Sequence, residues 1–191
     1  MSTLTEAKRR EELDIVALRP SDWAVLKMVR LRSLRDSPKA FVAAHRFECR
    51  LDRANWRARL EDGSTWVIAR AGLDRQIVGI AHLGAEPVED HVGMDPSSAV
   101  RYVESVWVHP RARRQGVLRR MIEELELRAR AEPGVRKLLL WVFDDNHVAW
   151  DAYLRLGFEP MGQDESNYAP APDAGNRGVW ERRMSKGLPG L

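Results

Sequence analysis

Five arginines, Arg111, Arg113, Arg114, Arg119 and Arg120, crowd around Gln115 and Gly116 in the middle of this chain. Upstream runs an apolar, β-branched stretch, Val103 to Val108. It is halted by His109-Pro110, because proline has no N–H and disfavours helical geometry in the residue before it. Downstream, Leu118, Met121, Ile122, Leu125 and Ala129 fall on one stripe of an α-helix. A strand, a glycine-bearing loop and a helix N-terminus gather backbone N–H donors at the positive end of a helix dipole. Ringed by guanidinium groups, that is a site for a phosphorylated ligand. Farther on, Tyr153 follows Asn146 by seven residues, two helical turns, so both point to one face. A phenol, with an ordinary pKa of about 10, keeps its proton at neutral pH and can give it to a basic leaving group.

The elements that must hold these residues follow from periodicity and punctuation. Leu13 to Leu18 reads as a first strand, ended by Arg19-Pro20, with Ser21 placed to cap the next helix. That helix, to about Arg35, turns Val25, Met28, Val29, Leu31 and Leu34 towards the core. Ser37-Pro38 breaks it, and a second helical region carries Phe41, Ala44, Phe47 and Leu51, with Asp52 capping a continuation to Trp56 and Leu60. Residues 66–69 and 77–81 form a hairpin over a Gly72-Leu73-Asp74 turn, and the third strand of that group is 101–108. A helix over 115–131, a doubly buried strand over 137–143, a helix over 147–156 and two last strands, 158–161 and 178–184, complete the order. The expected fold is mixed α/β, with a central sheet of about seven strands and four helices.

The segment Arg113-Arg114-Gln115-Gly116-Val117-Leu118 resembles the Gln/Arg-x-x-Gly-x-Gly/Ala signature of the GCN5-related N-acetyltransferases, preceded, as in that family, by a strand ending Val-x-Pro. Leu118 departs from the pattern, standing where glycine or alanine is usual. A second match, Asn146, Ala149, Tyr153 and Leu156-Gly157-Phe158, is similar to the family's second cofactor segment, about 30 residues downstream. The element order resembles the family from roughly residue 13 to residue 184. The resemblance implies a mostly antiparallel, twisted sheet whose fourth and fifth strands splay apart, with acetyl-CoA as acyl donor. Its pyrophosphate would rest on Arg113, Arg114, Gln115, Gly116, Val117, Leu118 and Arg119, and its pantetheine arm on the backbone of Val106, Trp107 and Val108 and on Asn146. Tyr153 would be the general acid, and Glu104, where many relatives carry a glutamate, the base or an acceptor ligand. Asp144, Asp145 and His82 are further candidates for the base. Each of these residues also has a plain structural role open to it: strand core for the valines, a helix cap for Asn146, packing for Tyr153, a solvated face for the acids.

Composition bounds the rest. The chain has 191 residues, 44% hydrophobic and 31% charged, enough for one domain and short for two. Residues 12–185 form that domain, with tails at 1–11 and 186–191. Lysine and arginine exceed aspartate and glutamate by only 31 to 28, which argues against nucleic acid as a partner; one anionic cofactor accounts for the local arginines. No apolar run reaches the roughly 20 residues of a membrane span, and Met1 to Glu12 has no apolar signal region. The lone Cys49 cannot form an internal disulfide, so a cytoplasmic setting is the default. No metal-ligand pattern is present, nor the Gly-x-x-x-x-Gly-Lys-Ser/Thr of a nucleotide-binding loop. The reading is an acetyl-CoA-dependent N-acetyltransferase, monomer or homodimer, acting on a small-molecule or peptide amine. The rivals are an acyl-CoA sensor of the same fold and a nucleic-acid module using Arg111 to Arg120. The acidic 84–99 loop and the 163–177 loop are placed to border the acceptor cavity, and Trp107 and Trp141 to line it.

Overall fold

Strand β1 (Asp14–Ala17) leads into a short 3-10 turn, Pro20–Asp22, and helix α1 (Trp23–Asp36) in the computed structural model, which describes residues 13–41, 43, 45–84, 99–162, 168–170 and 180–188. The turn is closed by Asp22, whose carboxylate accepts from the Arg19 N–H, so Ser21 is not the cap the sequence suggests. Two short helices follow, α2 (His45–Glu48) and α3 (Arg53–Ala58), the second beginning where Asp52 is expected to cap it. The break has a local cause. Asp52 accepts from the Asn55 N–H at 2.9 Å and starts a new helix there.

The sheet then builds through β2 (Thr65–Ala71), β3 (Gln76–Gly84) and β4 (Val100–Val108). Helix α4 (Val117–Ala131), β5 (Lys137–Phe143) and helix α5 (His147–Arg155) come next, and β6 (Glu159–Pro160), β7 (Tyr168–Pro170) and β8 (Trp180–Gly187) end the chain. Strand order is β1-β2-β3-β4-β5-β8-β6, with β7 on β8; every pairing is antiparallel except β4 with β5. The mixed α/β sheet is thus as expected, with the short β7 added inside a stretch read as loop and, among the described residues, two short helices in the second helical region. Strand β8 runs to Gly187, and Leu188 is buried, past the expected domain end at residue 185. The N-terminal tail and most of the 84–99 and 163–177 loops lie outside the described residues.

The core has two halves, one on each face of the sheet. Met121, Ile122, Leu125 and Ala129 of α4 pack with Val67, Ala81, Leu83 and Val103; Leu26 and Val29 of α1 pack with Trp56, Trp66, Ile68, Ile80 and Trp107. The stripe predicted for α4 is therefore the buried one. On α1 it is rotated: Met28 is exposed, and the buried set is Leu26, Val29, Arg30, Ser33 and Leu34, which includes an arginine.

Candidate active site

The site begins at an irregularity in β4. On β3, one residue separates Ile80 from His82; their partners Trp107 and Glu104 are separated by two, Ser105 and Val106. The extra residue is a β-bulge, and Ser105 takes it up with φ +54, the left-handed region that a side chain rarely adopts. A bulge bends its strand and increases its twist. The consequence is visible on the other edge. Strand β4 pairs with β5 only from Val100 to Tyr102, against Lys137 to Leu139, and the two strands part beyond that point. Among the described residues, backbone groups of β4 from Val103 to Val108 that face β5 have no strand partner.

Into the gap opens a cavity of about 330 Å³, lined from β4 by Val103, Glu104, Ser105 and Val106, and from β5 by Trp141, Val142 and Phe143. Helix α5 contributes Asn146, Ala149 and Tyr153, β8 contributes Glu181, and the α1 side contributes Arg30 and Phe41. Because its walls come from both helical layers, the cavity passes through the sheet between the parted strands. Asn146 is the N-cap of α5, its side-chain oxygen accepting from the Ala149 N–H at 3.3 Å, so the cap and the cavity-lining position coexist in one residue. Tyr153 is buried and meets Phe158 edge-on, with ring centroids 5.6 Å apart. Burial pushes its phenol well above the ordinary tyrosine value.

The arginine-rich loop is also present, with its parts sorted. Gly116 has φ +83 and caps α4 without any side-chain hydrogen bond, so the first N–H groups of the helix are left for a ligand. A methyl group at Gly116 would meet nothing within 4 Å, so the loop is open on that side. Among the described residues Arg111, Arg114, Arg119 and Arg120 have no ion-pair partner. Arg113 is occupied: it donates to the Val108 carbonyl (3.1 Å) and to Ser37 Oγ (3.4 Å) beside Asp36, tying the loop to the end of α1. The Gln115 amide is turned back onto the Arg111 carbonyl at 2.8 Å. Val117 is buried and Leu118 half-buried against the main core, so the departure from the small-residue pattern is absorbed by packing.

Several expected residues fall elsewhere. Trp107 does not line the cavity. Its ring is buried on the α1 side, with Nε1 donating to Asp36 Oδ2 at 2.9 Å, because the bulge sets it on the same face as Glu104. Its backbone is all it can offer a ligand in the gap. Asp144 pairs with Arg182 outside the cavity, and Asp145 is exposed. Glu104 and Ser105 also line a second cavity of about 260 Å³ on the α1 side, with Arg30, Glu48, Arg59, Asp62, Trp66 and His82. Arg30, missed in the sequence, sits there buried: it donates to Glu48 through Nε and Nη2, and Arg59 holds the other Glu48 oxygen at 2.8 Å. Desolvation depresses the Arg30 pKa, opposed by Glu48. The signal available was its place four residues from both Leu26 and Leu34, on the apolar stripe.

This combination of a bulged strand, parted neighbours and an uncapped glycine-led helix matches a known family. The sequence profile described as the Acetyltransferase (GNAT) family matches residues 29–158.

The chain belongs to the GNAT acetyltransferase family.

Solved structures agree on the GNAT fold. A GNAT-family acetyltransferase from Streptococcus pneumoniae superposes with a TM-score of 0.73 at 19% identity, over 93% of this chain and 100% of the other. The Salmonella typhimurium protein yncA, solved with its cofactor acetyl-CoA, gives 0.68 at 17% identity, over 94% and 95%. The ribosomal-protein-alanine N-acetyltransferase of Brucella melitensis gives 0.67 at 21%, over 92% and 99%. No curated protein sequence matches the chain at a significant level.

Proposed function

We propose that this GNAT chain transfers an acetyl group from acetyl-CoA to a primary amine by direct attack of the amine on the thioester. The observation that carries the reading is the cavity between the parted strands, which gathers Glu104, Asn146 and Tyr153 beside unpartnered backbone of β4. Acetyl-CoA fits the residues present. The uncapped start of α4 at Gly116, with Arg114 and Arg119 beside it, suits a pyrophosphate; the gap bordered by Val106, Val108 and Asn146 suits an extended arm with amide groups. When bound, the donor supplies an activated acyl carbonyl and a thiol leaving group.

The chain's own residues divide the remaining work. Free β4 N–H groups near the bulge stabilise the charge that develops on the carbonyl oxygen. Glu104 takes a proton from the ammonium form of the acceptor, leaving a neutral amine that can attack. The Tyr153 hydroxyl gives its proton to the sulfur as the carbon–sulfur bond breaks. Its raised pKa keeps it protonated until that moment, and the same desolvation makes a thiolate beside it more basic, so the transfer remains feasible.

The acceptor arrives as a cation. Carboxylates lining the two cavities, Glu48, Asp62, Glu104 and Glu181, outnumber the guanidiniums Arg30 and Arg59 by four to two. Thiol release from acetyl-CoA against a panel of amines tests the function. Release that requires both an amine and Tyr153 supports it; a wild-type protein that binds acetyl-CoA yet acetylates no amine favours an acyl-CoA sensor instead.

A further inference from the structure

We infer that His82 positions the base: its imidazole holds the Glu104 carboxylate by one oxygen and leaves the other turned to the acceptor. The inference rests on the acetyltransferase reading and on Glu104 as its base. His82 and Glu104 are register partners across β3 and β4, and Nδ1 lies 3.3 Å from Glu104 Oε2. Facing an ionised carboxylate, Nδ1 carries the ring proton and donates it. Glu104 lines both cavities and is 45% exposed, whereas His82 lines only the α1-side cavity and is 12% exposed. The imidazole therefore approaches the carboxylate from behind, away from the gap between the strands.

Two features fix the ring there. It stacks on Trp66, centroids 4.2 Å apart and planes 25° apart, which sets its tilt. Beside it Gly84 leaves room that no other residue would: a Cβ there would lie 2.8 Å from His82 Cε1. Nε2 is buried and has no hydrogen-bond partner among the described residues. A histidine serving only to satisfy the fold ordinarily has both nitrogens paired; this one makes a single polar contact, to Glu104. The bulge at Ser105 completes the arrangement, since the shift it introduces lets Glu104 face His82 while Val106 faces the gap.

Glu104 and His82 sit among other charged groups. The charged groups that face them across the α1-side cavity are Arg30 of α1, Glu48 of α2, and Arg59 and Asp62 beyond α3; on the far side Glu104 shares the cavity between the strands with Tyr153 and Glu181. A carboxylate stripped of a donor is protonated at higher pH. The acid limb of the kcat/KM profile should therefore move upward when the imidazole is lost.

The test compares His82→Phe, which keeps an aromatic ring over Trp66 but no donor, with His82→Asn, whose amide nitrogen can donate from the Nδ1 position without titrating. A third variant, Gly84→Ala, keeps the histidine and displaces its ring. Steady-state rates with acetyl-CoA and a responsive amine are followed from about pH 5 to pH 9. His82→Phe and Gly84→Ala should lower kcat by about tenfold or more, with the KM for acetyl-CoA little changed and the acid limb at higher pH. His82→Asn should recover most of kcat. Wild-type kcat and an unmoved profile in both His82→Phe and Gly84→Ala, alongside a slowed Glu104→Gln, would overturn the positioning role while leaving the base in place. A Glu104→Gln variant as fast as wild type would remove the base, and His82's role with it.

Discussion

Glu104 and Trp107 lie on the same face of β4 although an odd number of positions separates them: Glu104 meets His82, which stacks on Trp66, and Trp107 joins Trp66 in the α1-side core. In a regular strand residues three apart point to opposite faces. Ser105, at φ +54, supplies the missing step. One residue in an unfavourable conformation thus reverses the alternation, bends β4 away from β5 and opens the cavity.

Ser105 should therefore tolerate glycine and reject a β-branched residue. Ser105→Gly removes the left-handed penalty and should leave urea stability equal to wild type or raised by about 0.5–1 kcal/mol. Ser105→Val should cost about 1–2 kcal/mol and slow acetyl transfer, because relaxing the bulge turns Glu104 off its face. Equal stability of the two variants by denaturant titration would mean that Ser105 is not the hinge of the bulge.

Tyr153→Phe keeps the buried ring and its contact with Phe158, so folding should be nearly unchanged while kcat falls by about a hundredfold. The pH dependence follows from burial. The folded protein binds the phenolic proton more tightly than the unfolded chain does, so this group's contribution to stability is complete below the ordinary value of 10.0 and is lost as pH rises beyond it. Below that pH the rate should show no basic limb from Tyr153. Thermal melts of wild type and Tyr153→Phe should agree at neutral pH and diverge only in strong alkali.

Glu48 is the buried carboxylate that two arginines share, with Arg30 almost wholly out of water. Removing it leaves a desolvated guanidinium without a counter-charge. Glu48→Ala should cost about 3–5 kcal/mol in chemical denaturation, and a loss under 1 kcal/mol would show that water already reaches Arg30.

Gly116→Ala separates binding from folding. The methyl group finds open space, so the expense to stability is conformational only, about 1–2 kcal/mol for the left-handed backbone. Coenzyme A affinity should fall by more than that corresponds to, because the left-handed turn at Gly116 sets the helix N–H groups on which the proposed diphosphate site rests. Fluorescence titration on the folded variant reads this directly.

Much of this was legible in the sequence, and the exceptions have physical reasons. The helix α4 stripe, the strand stop at Pro110 and the Gly116 turn follow from local rules, and the structure has all three. The cap at Asp52 follows from the same local rules, whereas the rotation of α1 depends on tertiary packing, which periodicity alone does not contain. Ser105 carries no signal of its own, since serine is at home in strands and turns alike. Arg30 sat in plain view on an apolar stripe but was invisible as a buried residue until Glu48 and Arg59 were seen to neutralise it. The place of Trp107 depends on which residue takes up the bulge, and that residue, Ser105, is visible only in the folded strand.

Calorimetric titration of the folded protein with coenzyme A and acetyl-CoA tests the central claim most directly. The account predicts saturable one-to-one binding, weakened at least tenfold in Gly116→Ala while that variant's cooperative unfolding persists. Absence of any binding heat for both ligands at several temperatures, with the wild-type fold intact, would contradict it.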